Sequence, residues 1–278
     1  YGIFGYPLGH TVSPAIQNSA FDHYHLKSIY FAFECSGARF RFFMRNLRTL
    51  LLDGFNVTVP YKETVIPYLD RVSPEARAIG AVNTVKKQNG RWIGYNTDID
   101  GFLAGLRKAR FKPKGKSVVI LGAGGSSRAV AFALAKNGSK RISIANRSRV
   151  RAKRLARKFG GFFPKTEWHD LSLGRREFFR ALSQADLIVN ATKVGLKTSD
   201  SSLISRRLFP KRKILVYDLI YKPKRTKLLK LARSAGHRVL NGEAMLLYQG
   251  AKAFEIWTGK RAPIRQMKKA LHDALYSD

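Results

Sequence analysis

The stretch Val118 to Ser127 reads VVILGAGGSS, and it constrains the fold more than any other part of the chain. Its leading apolar residues, Val118 to Leu121, form a short continuous hydrophobic run. That is the pattern of a strand buried on both faces of a parallel sheet. Gly122, Ala123, Gly124, Gly125, Ser126 and Ser127 follow at once, and Arg128 to Asn137 has helical composition. Strand, glycine turn and helix in this order let backbone amides and a helix N-terminus cradle a pyrophosphate. Gly122 would make the tight turn, and Gly124 would let the backbone approach a ligand closely. The third position of the usual dinucleotide pattern is Ser127, not glycine or alanine. Taken alone, the stretch reads equally as a plain tight turn.

The next segment adds weight to the ligand reading. Lys140 to Ala145 reads as a second strand, ending in Asn146, Arg147 and Ser148, with Arg149 and Arg151 beyond. A site for NAD usually has an acidic residue here to hold the ribose hydroxyl. No Asp or Glu occurs between Ser117 and Phe163. Guanidinium groups stand there instead, and these suit a 2′-phosphate bidentately. Arg147, at the strand's end, is read as the phosphate contact. Arg151 fits a solvated basic helix equally well. The expected cofactor is therefore NADP(H).

The remaining pattern alternates strands with helices, as βαβ units require. Ala185 to Thr192, Ile214 to Ile220 and Arg238 to Leu240 read as further strands, and Val150 to Lys158 as a basic helix. In open sheets of this kind, ligands lie beyond the carboxyl ends of the strands. That rule places Thr192, Tyr221 and Gly242 near the glycine turn. Gly242 to Trp257 reads as a helix pair, and Pro263 to Leu275 as a basic amphipathic helix. A length of 278 residues accommodates two modest domains.

The first hundred residues hold polar groups at element ends. Tyr1 to Tyr6 reads as a strand and Pro7 to His10 as a turn. Ser13 then serves as N-cap, with Pro14 first in a helix to about Tyr24. Hydroxyls and free amides at such a helix start also suit a carboxylate. Ile29 to Phe33 reads as a strand. Phe40 to Leu52 reads as a helix with Phe43, Leu47, Leu50 and Leu51 buried, ended by Gly54. A short strand from Phe55 runs into Pro60, and a helix beginning near Tyr61 puts Lys62 in its first turn. A cation is disfavoured there by the helix dipole, which makes Lys62 a candidate acid–base group. A solvated lysine paired with Glu63 or another acid fits equally. Asn83 and Thr84 form a polar pair at a strand entry, Asn89 and Gly90 a hairpin tip, and Asp98 an N-cap for the helix Ile99 to Arg107.

Charge is uneven. Residues 101 to 239 hold 35 basic and 6 acidic residues, against 17 and 12 in the rest of the chain. Steering of an anionic cofactor, nucleic-acid binding and a general surface bias would each produce this. Surface bias is the default, since no aromatic-rich strand motif, zinc motif or helix-turn-helix signature accompanies the charge. The six histidines show no metal-ligand spacing, so no metal is expected. The single Cys35 suits a reducing compartment such as the cytoplasm. No apolar run approaches the roughly 18 residues of a membrane span.

Taken together, the motifs GYPLGHTVSP, NVTVPYK, GAVNT, YNTDIDGF, LGAGGSSRA, NRS, NATKVGL, DLIYKP and LLYQGAKAFEIWTG resemble shikimate dehydrogenases over nearly the whole length. The resemblance implies two α/β domains: a discontinuous substrate domain, residues 1–100 and 240–278, and a Rossmann-like, doubly wound NADP-binding domain, residues 101–239. It implies reversible NADPH-dependent reduction of 3-dehydroshikimate to shikimate by a monomer or homodimer, without a specific nucleic-acid partner. Lys62 and Asp98 match the catalytic pair. Thr11 and Ser13 match the carboxylate ligands, with Tyr221 near that carboxylate, and Thr58, Asn83 and Gln249 match other substrate ligands. Gly122, Ala123, Gly124, Gly125, Ser126, Asn146, Arg147, Ser148 and Arg151 fall in the cofactor site, with Thr192, Gly242 and Met245 around the nicotinamide. The family usually has Ser at Thr11 and Pro at Lys193. The first departure leaves use of quinate beside shikimate open.

Overall fold

The computed structural model describes residues 1–9 and 11–276. His10, the last residue of the expected turn, lies outside the described residues. The chain divides into two compact units, Tyr1–Gly101 with Leu247–Asp278, and Phe102–Leu246. Residues 240–246 thus group with the second unit.

The first unit is built on a mixed sheet. Its strands are β1 (Gly2–Gly5), β2 (Phe31–Glu34), β3 (Gly54–Val57), β4 (Arg71–Val72), β5 (Thr84–Gln88) and β6 (Arg91–Tyr95), ordered β2-β1-β3-β5-β6-β4. β1 runs parallel to β2 and β3, whereas β3, β5 and β6 form an antiparallel run. The β5–β6 hairpin turns at Asn89 and Gly90, with φ of 50° and 72°. Positive φ at both positions matches the turn twist to the strand twist. Helices α1 (Ser13–His23), α2 (Gly37–Arg45) and α3 (Pro74–Ile79) lie between the strands in sequence, and α4 (Asp98–Lys108) follows β6, its residues from Phe102 on belonging to the second unit. Phe4, Phe40, Phe55, Tyr61 and Trp92 centre the core. The rings of Phe40 and Tyr61 stack 4.0 Å apart, which anchors the turn that carries Lys62.

Three local expectations fail here. Ser13 is the first residue of α1, not its cap, and Val12 takes the cap position without a side-chain bond. The helix expected over Phe40–Leu52 stops at Arg45, where the Asn46 amide bonds back to the Phe42 carbonyl. A 3-10 turn, Leu47–Thr49, follows it; Leu51 is fully exposed, and Gly54 opens β3 instead of ending a helix. No helix begins near Tyr61. The Tyr61 and Val65 amides close successive turns onto Thr58 and Tyr61, and a 3-10 turn, Ile66–Tyr68, comes next. Pro67 has no amide to bond back to Glu63, so the turn cannot propagate as an α-helix.

The second unit alternates β7 (Ser117–Leu121), α5 (Gly125–Lys136), β8 (Arg141–Asn146), α6 (Arg149–Phe162), β9 (Glu167–Ser172), α7 (Arg176–Gln184), β10 (Leu187–Asn190), β11 (Leu215–Asp218), α8 (Lys227–Ser234) and β12 (Arg238–Leu240). Every strand pair is parallel, in the order β9-β8-β7-β10-β11-β12. This is the doubly wound order, with the sheet reversing direction between β7 and β10. β10 and β11 are buried throughout, which explains the apolar residues that lead to the buried Asn190 and Asp218 at their ends. β9 and α7 were not foreseen. As an edge strand, β9 alternates exposed and part-buried residues from Glu167 to Asp170, buries only Leu171, and shows no hydrophobic run.

The chain then forms α9 (Glu243–Thr258) and α10 (Ile264–Tyr276). The expected pair of helices over Gly242–Trp257 is one continuous helix. Gly250 lies within it, where a Cβ would come 3.3 Å from the Gln17 side chain, so glycine serves close packing on α1 and does not break α9.

Candidate active site

A buried polar cluster occupies the first unit, built from the turn after β3, the start of β5 and the start of α4. Lys62 donates to Asp98 Oδ2 at 2.6 Å. The Asn83 amide donates to Asp98 Oδ1 at 2.9 Å, and approaches Thr97 Oγ1 at 3.0 Å and Gln249 Oε1 at 3.4 Å. Asn83 Oδ1 in turn accepts from the Thr97 amide at 2.7 Å. Lys62 is 8% exposed and Asp98 3%. An ion pair this buried needs such additional hydrogen bonds to offset the loss of water.

Asp98 is the first residue of α4, not its cap. Its carboxylate is therefore turned to Lys62 and Asn83, while its amide donates to Asn96 Oδ1 at 3.1 Å. Lys62 lies in a turn, so the helix-dipole argument does not apply. Lys62 is paired with an acid, Asp98, but it is buried and not solvated.

A further set of residues supports the cluster. Asn56 donates to the Asn83 carbonyl at 2.9 Å and to Thr84 Oγ1 at 3.0 Å, and Tyr30 donates to Asn56 Oδ1 at 2.7 Å. Asn96 holds the Ala81 carbonyl at 2.8 Å. Asn56 and Tyr30 were missed by sequence reasoning. An Asn inside the buried strand GFNV was the available signal, because a buried amide must find partners.

Other expected substrate residues form separate groups. The Ser13 amide donates weakly to Thr11 Oγ1 at 3.4 Å at the start of α1. Thr58 follows β3, its amide bonded to the Phe4 carbonyl at 2.9 Å. Among the described residues, none of these three is hydrogen-bonded to Lys62 or Asp98. Tyr221 belongs to the second unit, half-buried after β11, and burial pushes its hydroxyl pKa upward.

The glycine turn of the second unit fits a dinucleotide by its own geometry. Gly122 has φ of 107°, and a Cβ there would lie 3.1 Å from Thr192 Cγ2 and 3.2 Å from Ser127 Oγ. A side chain is disfavoured on both counts. Ser127 is fully buried under this turn. The third position of the motif therefore serves packing, and a small serine suffices. Gly124 caps α5 with no side-chain bond to the first amides, and open space surrounds it. Ala123, Gly125 and Ser126 are half-buried around it. These features leave donors and room for a phosphate.

At the end of β8 the Asn146 amide closes a turn onto the Ser148 carbonyl at 2.9 Å. Arg147 and Arg151 are exposed and pair with no carboxylate among the described residues, whereas Arg149 bonds Asp170 of β9 at 2.8 Å. The Thr192 hydroxyl donates to Asn190 Oδ1 at 2.7 Å, and Lys193 beside it is exposed. At Gly242 a Cβ would collide with the Leu219 carbonyl, and Met245 is buried in the first turn of α9.

A parallel sheet wound in this order around such a turn is the framework of nicotinamide-dependent dehydrogenases. Comparison with known proteins narrows the class. The chain matches the shikimate dehydrogenase substrate-binding domain over residues 3–85, the shikimate/quinate 5-dehydrogenase model over 105–221 and the shikimate 5′-dehydrogenase C-terminal domain over 242–272. It is 41% identical to the NADP(+) shikimate dehydrogenase of Desulforamulus reducens, covering 98% of this chain and 94% of that protein. Among solved structures it resembles shikimate dehydrogenase of Aquifex aeolicus, with TM-score 0.88, 41% identity and coverage of 98% and 97%. It also resembles the Thermus thermophilus enzyme in complex with NADP(H) and shikimate, with TM-score 0.86, 37% identity and coverage of 99% and 98%. The chain belongs to the shikimate dehydrogenase family.

Proposed function

We infer that this protein is an oxidoreductase that reversibly reduces 3-dehydroshikimate to shikimate with NADPH, a step of aromatic amino-acid biosynthesis. The observation that carries the reading is the buried Lys62–Asp98–Asn83 cluster in a chain of this family. Bound NADPH supplies the hydride to the ketone carbon. The ketone oxygen then gains negative charge and needs a proton or a cation. Lys62 supplies one or the other from its ammonium group. Asp98 holds that ammonium and accepts from a neighbouring substrate hydroxyl. Asn83 fixes Asp98 and, with Thr58 and Gln249, binds the remaining hydroxyls. Thr11, Ser13 and Tyr221 take the carboxylate. Arg147, with Arg151, would hold the 2′-phosphate of the cofactor beside Asn146 and Ser148, and the turn Gly122 to Ser126 would hold its pyrophosphate. Thr192, Gly242 and Met245 would border the nicotinamide. The enzyme acts on small molecules in the cytoplasm as a monomer or homodimer, without a specific nucleic-acid partner.

The test is oxidation of shikimate and of quinate, side by side, with NADP and again with NAD. Shikimate with NADP should give the highest kcat/KM. A higher kcat/KM for quinate would place the enzyme with the quinate-using members. The methyl of Thr11, at the carboxylate end, is the feature that would then explain it.

A further inference from the structure

A groove in the second unit is lined by none of the residues assigned above. It measures about 610 Å³ and runs along α8, past β12 and the end of α4. β12 is an edge strand, so the groove opens at the border of the sheet. Lys108, Lys224, Arg225, Lys230 and Arg233 line it, and Glu243 is the sole acid in the lining. Lys108, Arg225, Lys230 and Arg233 are exposed and pair with no carboxylate among the described residues. Leu229, Val239 and Leu240 supply an apolar floor.

Like charges gathered around one concavity repel each other, and low-dielectric walls focus their field into it. An anion relieves that repulsion. The volume lies within the range of small-molecule sites, roughly 300–1,000 Å³. A bare inorganic ion would use the rim and leave the floor bare. We propose that this groove binds a nucleotide-sized organic polyanion, with phosphates on Lys108, Arg225, Lys230 and Arg233 and an apolar ring system on Leu229, Val239 and Leu240. The broad basic excess of the unit then has one site that uses it specifically.

The experiment is calorimetric titration of the full chain, first saturated with NADP so that the glycine-turn site is filled. ATP, inorganic tripolyphosphate, adenosine and a single-stranded oligonucleotide are the probes. One ATP should bind per chain, more tightly than tripolyphosphate or adenosine. Replacing Lys230→Glu and Arg233→Glu together should weaken ATP at least tenfold, the loss expected for one or more charge-assisted contacts. Both side chains are exposed, so folding and shikimate turnover should be unchanged, and Arg225→Ala gives a second, milder variant. Arg147→Ala should leave ATP binding as it is. Absence of saturable ATP binding, equal affinity in the double variant, or loss on Arg147→Ala would each overturn the proposal. So would tripolyphosphate binding as tightly as ATP, or an oligonucleotide displacing ATP at several sites per chain.

Discussion

The first unit builds its candidate site from buried side chains that hold one another, and the second builds its own from backbone and exposed cations. Lys62 and Asn83 both donate to Asp98, and the Thr97 amide donates to Asn83, so loss of Lys62 or Asp98 strands a buried charge. The glycine turn depends on φ at Gly122 and on free amides, while Arg147 and Arg151 project from the surface. The difference teaches that chemistry and stability are tied together in the first unit and separable in the second. Substitutions in the first should damage the reaction steeply. Those in the second should grade affinity and leave the fold alone.

Lys62→Ala tests the steep side. It should lower kcat by about 10²-fold or more, the scale of a general acid–base group. KM should change far less if Lys62 acts mainly in the transition state. It also strands the buried Asp98, and breaking a buried pair costs about 3–5 kcal/mol. Thermal unfolding should therefore shift together with kcat. A variant with near-normal kcat would show that another group supplies the proton, and would uncouple the two properties.

Arg147→Ala tests the graded side. Hydrogen bonds to charged groups contribute about 1.5–3 kcal/mol, so NADP should bind roughly 10- to 150-fold more weakly. Arg149 is tied to Asp170, which leaves Arg151 as the nearby cation able to compensate. KM for NAD should barely move, and the melting temperature should stay the same. Equal losses for both cofactors would mean that Arg147 holds the adenine or the fold.

Much of this contrast was legible in the residues. VVILGAGGSS announces its strand, turn and helix because a phosphate-cradling turn is local: every part lies within ten residues. The alternation of strands and helices followed from buried strands that read as apolar runs, whereas the doubly wound arrangement came from resemblance to a family. The polar cluster was legible only in pieces. Lys62, Asn83, Asp98 and Gln249 are far apart in sequence, and their grouping came from resemblance to a family, since no spacing rule joins them. Asn56 and Tyr30 stayed hidden because strand patterning treats one Asn in a buried run as noise. The two capping errors share one cause. Ser13 and Asp98 have good capping chemistry, but each helix begins one residue earlier than a cap there allows. At Asp98, the carboxylate gains more from Lys62 and Asn83 than from helix amides. β9 was missed because an edge strand need not be apolar.

Thr11→Ser is a smaller test, confined to the first unit. Removing one methyl keeps the hydroxyl that accepts the Ser13 amide. Shikimate kcat/KM should stay similar or rise, and the ratio of shikimate to quinate should not fall. A loss of more than about tenfold would mean that the methyl itself is packed against the substrate, since one methyl contributes at most about 1–3 kcal/mol.

The smallest effect is expected at His237, which qualifies the claim that the second unit's polar groups are harmless to its fold. This residue precedes β12, is 6% exposed, and has both ring nitrogens without a partner among the described residues. Its ring lies 5.2 Å from that of Phe209. Burial holds its pKa below the ordinary histidine value of 6.5. The unfolded chain therefore binds this proton more readily than the folded one. Stability is complete above pH ~6.5 and declines as pH falls from there toward the folded-state pKa. One proton sets a limit of about 1.4 kcal/mol per pH unit on the slope. His237→Phe keeps an aromatic ring against Phe209 and has nothing to protonate. Melting temperatures measured from pH 7.5 down to 5 should fall in the parent and fall less in the variant. Parallel curves would assign the acid sensitivity to other groups, and the second unit would then carry no buried polar penalty at His237.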